Sequence, residues 1–173
     1  MKLKRSFYRK PTLEVAENLI GKFLVHKTVD GIYEAEIIET EAYAGFDDKA
    51  SHASRGMTDR NKIMFGKAGF VYVYLIYGMY HCFNITTEKE DYPAAVLIRR
   101  LDYVKCDGPG KLCREFKIKK ETHNGLDVTG DILWIEDKGL KREIITLPRV
   151  GVDYAGVCKD WPWRFQRLRI SGR

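Results

Sequence analysis

Phe70-Val-Tyr-Val-Tyr-Leu-Ile-Tyr-Gly-Met-Tyr-His-Cys-Phe-Asn84 reads as two strands joined at Tyr77-Gly78-Met79-Tyr80. Phe70, Tyr72, Tyr74 and Ile76 fall on one face at a period of two. Val71, Val73, Leu75 and Tyr77 fall on the other. Gly78 supplies the turn, because it takes a positive φ without a Cβ penalty. Tyr77, Met79 and Tyr80 then sit at or near the tip of a hairpin, where a soluble protein ordinarily places Asn, Asp, Gly or Ser. An aromatic, apolar tip costs solubility unless it enters something. In a basic chain a fitting acceptor is a base stack, into which apolar wedges insert from the minor groove.

Composition agrees. A chain of 173 residues, 45% apolar and 31% charged, is expected to form one soluble globular domain over 1–173 with a real core. Its net charge of +6 favours nucleic acid, an anionic membrane surface or an acidic partner. No apolar run approaches the roughly 20 residues that cross a bilayer. Met1 to Arg9 is basic with no apolar stretch behind it, which suits a solvated or phosphate-contacting arm and not a secretory signal. Cys82, Cys106, Cys113 and Cys158 form no C-x-x-C pair, and His26, His52, His81 and His123 lack ligand spacing. Free thiols are expected, with no disulfide framework, no structural metal and no cofactor.

Thr12 reads as the cap of a helix through Ile20, with Leu13, Ala16 and Ile20 as its apolar stripe and Gly21 as its stop. Lys22 to Thr28 and Ile32 to Tyr43 read as strands around an Asp30-Gly31 turn. Ala44 to Gly69 reads as loop with a short helix near Asp59 to Phe65. Ala94 to Leu101 is a further central strand, Pro109 opens a helix through Phe116, and Trp134 and Ile144 to Leu147 mark two more strands. The expected fold is a single α+β domain: a curved, mainly antiparallel sheet with peripheral helices and a protruding hairpin.

Period-two counting puts Glu39, Glu41 and Tyr43 on one face of the second strand, together with Ala35 and Ile37. That face is expected to be core at one end and acidic at the other. Arg99 ends an apolar run, where a guanidinium needs a partner. A carboxylate beside it stays ionised, as a general base must, and spacing leaves open which of the two glutamates it faces. Tyr43, Tyr74 and His52 are candidates for an aromatic enclosure around a flat ligand, against the plainer reading of sheet core and a solvated loop histidine. A helix start near Asp59 suits a phosphate contact.

Glu39-Thr-Glu-Ala-Tyr43, His52, Arg60-Asn61, Met64-Phe65 and Tyr72 to Met79, with Cys82 and Asn84, closely resemble the 3-methyladenine (alkylpurine) DNA glycosylase family of the alkyladenine type. Pro109 to Cys113 and Arg149 to Gly156 are similar to its later segments, so the likeness runs in order from about Leu13 to Phe165. The resemblance implies a monomeric, monofunctional enzyme. It would flip damaged purines, 3-methyladenine and other alkylated purines with hypoxanthine as a neutral case, out of double-stranded DNA and hydrolyse the N-glycosidic bond. It implies Glu41 as general base, Arg99 as a holder of the attacking water, and a backbone carbonyl of Val150 on the same water. Tyr43, His52 and Tyr74 become pocket walls, and Asn84 the residue that disfavours guanine. Tyr77 becomes the plug in the duplex, with Met79 beside it, which makes the hairpin DNA-intercalating. Such an enzyme belongs in the nucleoid-containing cytoplasm of a prokaryote or the nucleus of a eukaryote. Gln166 to Arg173 departs from the family pattern, so the final strand is expected to be altered or shortened.

Two rivals remain. A metal-dependent nuclease would use Glu39, Glu41, Asp47, Asp48 and His52 as ligands. A lesion- or RNA-binding module would need no base at Glu41.

Overall fold

The strand β2, Gly31–Ala44, is the axis of the molecule. The computed structural model describes residues 1–168. Along the sheet the neighbours run β3 (Val71–Ile76), β4 (Tyr80–Thr86), β5 (Ala94–Leu101), β2, β1 (Phe23–Thr28) and β6 (Leu133–Glu136). β8 (Arg164–Arg167) pairs with β2 and with β7 (Ile144–Leu147), which makes eight strands among the described residues. Their pairings are antiparallel and the sheet is open, ending at β3 and β6. Among the described residues four short α-helices accompany it: α1 (Arg5–Tyr8), α2 (Thr12–Asn18), α3 (Pro109–Glu115) and α4 (Lys120–His123). The class is α+β. No helix among the described residues is long and apolar enough to cross a membrane.

The main core lies between the sheet and these helices. Val71 and Val73 of β3, Phe83 and Ile85 of β4 and Val96 and Ile98 of β5 meet Val15, Ala16 and Leu19 of the α2 region there, with Leu112 and Phe116. Tyr72, Tyr74, Cys82 and Leu97 face the other way, into a second cluster with Met64 and Phe65. The alternation read from the β3 sequence therefore separates core from site. All four cysteines are buried and free.

Three local expectations are corrected. Thr12 is the first helical residue, not the cap. Pro11 precedes it at φ −50, and the Glu88 carboxylate accepts the Thr12 N–H at 3.0 Å. A distant acid thus meets an N-terminal donor that sequence reasoning assigned to a local side chain. Leu13 points outward, and the buried stripe is Val15, Ala16, Leu19 and Ile20. The helix expected near Asp59 is a 3₁₀ turn over Lys62–Phe65.

The fourth correction bears on the site. Ala35 and Ile37 do not share a face with Glu41. Ile37 pairs with Leu101 and Glu39 with Arg100, so Ile38 is an extra residue on β2. Thr40 then pairs with Ile98, which makes Arg99 an extra residue on β5. A bulge flips the parity of every later side chain. Ala35 and Ile37 join the main core together with Ala42, and the Thr40 hydroxyl donates to the Ala16 carbonyl at 2.8 Å. Glu39, Glu41 and Tyr43 face away from it.

Candidate active site

Glu41 is fully buried, and β2 holds it between β5 and β8, opposite Leu97 on one side and Arg164 on the other. Its Oε2 accepts the Tyr43 hydroxyl at 2.8 Å, and its Oε1 accepts the Val150 N–H at 2.8 Å. Arg99 Nη1 stands 3.4 Å from Oε1. A carboxylate offers about four lone-pair directions, so these three contacts leave one open. Burial pushes the Glu41 carboxyl above the ordinary carboxylate range. Arg99, the Val150 N–H, the Tyr43 hydroxyl and Arg164 pull it down without cancelling that rise. Desolvation is the larger effect, and Arg99 acts against it, in the direction that favours the ionised form. Arg99 in fact serves both glutamates, since its Nε donates to Glu39 Oε1 at 3.1 Å. Val150 reaches the site as expected, and the contact the structure records is from its amide.

Above Glu41 opens a cavity of about 440 Å³ lined by Tyr43, His52, Tyr74, Asn84, Arg99 and Val150. The rings of His52 and Tyr74 meet at 4.5 Å and 77°, edge to face, and His52 Nδ1 lies 3.3 Å from the Tyr72 hydroxyl. Burial, with Arg60 nearby, lowers the His52 pKa and favours neutral imidazole. Burial also raises the hydroxyls of Tyr43 and Tyr74 well above their usual range, so both remain neutral donors. Asn84 is buried, and its Nδ2 donates to the carbonyls of Tyr72 at 3.1 Å and Cys82 at 3.3 Å. That pins the amide plane at the cavity wall.

The loop carrying His52 is organised by Asn61. Its Nδ2 donates to the His52 carbonyl at 2.9 Å and the Gly56 carbonyl at 3.0 Å, while its Oδ1 accepts the Thr58 N–H at 2.7 Å. Arg60 lies over the Tyr74 ring at 5.4 Å and donates to the Leu75 carbonyl at 3.2 Å, which ties this loop to the root of the β3–β4 hairpin. At the hairpin tip Tyr77 and Gly78 have φ of 53° and 68°, and the Met79 N–H donates to the Ile76 carbonyl at 3.2 Å. Tyr77 is 86% exposed and Met79 64%. A bulky residue at positive φ costs on the order of 1–3 kcal/mol, and such strain gathers at functional sites.

Several residues that shape the site carry no local signal. Arg149 is buried and bonds both oxygens of the equally buried Asp48, at 2.6 and 2.7 Å, and also the carbonyls of Ala42 and Cys158. This pair fastens the loop after β2 to the segment that presents Val150. Arg164 joins Glu39 at 3.1 Å to the Pro148 carbonyl at 2.7 Å. Of the acids considered as nuclease ligands, Glu39 faces three arginines and Asp48 faces Arg149. Among the described residues no cluster of three His, Cys, Asp or Glu side chains has metal-ligand geometry. Of the segment expected to depart from the family, Gln166 and Arg167 complete β8. Arg169 to Arg173 lie outside the described residues.

Against known proteins, residues 6–105 and 102–169 match the family described as methylpurine-DNA glycosylase. A chain from Methanocella arvoryzae, provisionally named a 3-methyladenine DNA glycosylase, is 49% identical over 94% of this chain and 90% of its own length. One of the same provisional name from Anaeromyxobacter sp. is 51% identical over 95% and 88%. Another from Alkaliphilus oremlandii is 45% identical over 95% of each.

Proposed function

We propose, since the chain belongs to the methylpurine-DNA glycosylase family, that it excises alkylated purines such as 3-methyladenine from double-stranded DNA in base excision repair. The observation that carries this reading is a fully buried carboxylate, Glu41, beneath a cavity walled by Tyr43, His52 and Tyr74. Duplex stacking hides the glycosidic bond, so the nucleotide must rotate out, at a cost of about a few kcal/mol. Tyr77, with Met79 beside it, fills the gap and offsets that cost. In the pocket an alkylated, cationic purine gains cation–π attraction of roughly 0.5–2 kcal/mol per good aromatic contact. Asn84 meets the edge of the base and rejects guanine through its exocyclic amine.

The reaction is hydrolysis. Glu41 takes a proton from water as the water oxygen bonds to C1′. The C1′–N bond breaks, the base leaves with the bonding pair, and a cationic base leaves neutral. The sugar passes through an oxocarbenium-like state, which the carboxylate charge stabilises, and an abasic site remains. Arg99 and Val150 orient the carboxylate and its water. The enzyme acts as a monomer and does not cut the strand. The nuclease reading has less support, because Glu39 and Asp48 are already committed to arginines.

The test is incubation with a duplex carrying one damaged purine. Free base and alkali-labile sites are expected, unaffected by EDTA, with no adduct trapped by borohydride. Strands that stay intact after alkali, with no free base, would refute the reading. A borohydride-trapped adduct lost on mutating one lysine would replace water with an amine nucleophile.

A further inference from the structure

Glu39 is 3% exposed and bonded by three guanidinium groups. Arg99 Nε and Arg164 Nη1 each reach its Oε1 at 3.1 Å, and Arg100 Nη1 reaches its Oε2 at 3.4 Å. A regular strand would send Arg99 and Arg100 to opposite faces. The bulge on β5 is what lets both reach one carboxylate. Two of the three cations also act on Glu41: Arg99 at 3.4 Å, and Arg164 through its charge from the neighbouring strand. Arg99 is closer to Glu39 than to Glu41. Fewer cations would hold Glu39 in the fold, and the mechanism gives this residue no task.

We propose that Glu39 is a positioning residue that shares Arg99 and Arg164 with Glu41 and so keeps Glu41 a stronger base than the two arginines alone would leave it. A buried carboxylate facing two unshared guanidinium groups is a weak base. A second carboxylate partly neutralises them and holds them in place. The groups facing Glu41 are Arg99 from β5, Arg164 from β8, and Tyr43 from its own strand. From the stretch after β7 come the Val150 amide and the more distant Arg149 and Tyr154, with Tyr74 of β3 and Cys82 of β4 across the cavity. Arg99 and Arg164 among them carry a full charge that Glu39 also contacts. Their sharing is therefore the adjustable quantity. The Arg164 Nε bond to the Pro148 carbonyl adds a second route, since Pro148 is two residues before the amide that bonds Glu41.

The inference rests on Glu41 as the base, and the experiment separates the two claims. Single-turnover excision is followed against pH for the full chain and for Glu39→Gln, Arg164→Gln and Glu41→Gln. Glutamine at 39 keeps an acceptor oxygen for Arg99 and Arg164, removes the charge, and gives up the acceptor that Arg100 uses. The acidic limb for Glu39→Gln is expected roughly one pH unit lower, with the plateau rate down about threefold and lesion-DNA affinity unchanged. Arg164→Gln removes a cation from Glu41 and is expected to move the limb the other way. General loosening of the site would not produce opposite shifts. An acidic limb for Glu39→Gln that stays in place or rises overturns the proposal. If that variant does not fold, Arg164→Gln decides: an upward limb supports the sharing, and an unmoved one overturns it. A Glu41→Gln variant that excises normally would sink the base assignment itself. An inactive Glu41→Gln beside an unmoved Glu39→Gln would sink only the sharing.

Discussion

Glu41 is fully buried and is held by groups from β2, β5 and the loop after β7, whereas Tyr77 is 86% exposed and held by its own turn. The two residues are the ends of one proposed event, extrusion of a nucleotide and cleavage of its glycosidic bond. The carboxylate needs an environment that the protein assembles before DNA arrives, because preorganised charge in a dry site acts most strongly. The tip needs the opposite. Among the described residues its ring stacks on no other aromatic ring and stands in water at positive φ, and the proposed event would give it a partner in the duplex. One end is determined by distant contacts, the other by two consecutive dihedrals.

That contrast can be broken. Removing Arg149 should damage the interior end most. Asp48 would be left as an unpaired buried charge, so Arg149→Ala should cost about 3–5 kcal/mol in denaturant unfolding. Excision should fall with it, because the Val150 segment loses its fastening. Stability within 1 kcal/mol or so of wild type would show that the loop is held by other means. At the exposed end Tyr77→Ser should leave unfolding nearly unchanged. It should weaken binding to DNA with an abasic or flipped nucleotide by roughly tenfold, as stacking of about 1–3 kcal/mol implies. Intact duplex should be affected less, and equal weakening on both DNAs would remove the plug role.

A smaller effect sits far from both ends. His26 Nδ1–H donates to the Phe116 carbonyl at 2.7 Å, so its Nε2 accepts from His123 Nε2 at 3.1 Å. His123 Nδ1 in turn accepts the Lys119 N–H. In this arrangement the His123 ring is neutral. Burial, with His26 opposite, lowers the His123 pKa. A group held neutral in this way contributes fully above its unfolded pKa of about 6.5 and loses that contribution as pH falls through its lower folded value. Stability should therefore drop as pH falls from about 7.5 to about 5. His123→Gln should flatten that slope, and an unchanged slope would assign it to other groups.

What the sequence disclosed follows the same division between local and distant. Tyr72, Tyr74 and the Tyr77-Gly78 turn were legible because alternation and positive φ are properties of neighbouring residues. β5 was legible from the apolar run Ala94 to Ile98 that forms most of it. The bulge at Ile38 was not, since it exists only in register with β5, and missing it put Ala35 and Ile37 on the wrong face. The Arg149–Asp48 pair spans 101 positions and the Val150–Glu41 bond 109, distances at which spacing says nothing. β8, which brings Arg164 to Glu39, is four residues with no periodic signal. Glu41, Arg99, Tyr43, His52 and Tyr74 were candidates from strand period and residue chemistry, Asn84 and Val150 came from the family resemblance alone, and all seven line one cavity.

The most direct measurement is single-turnover release of a damaged purine by Glu41→Gln, with lesion-DNA affinity determined on the same preparation. Loss of the carboxylate should cost roughly 100-fold or more in rate while affinity stays nearly unchanged. Release at close to the wild-type rate with DNA equally bound would contradict the account and move the chemistry away from this buried glutamate.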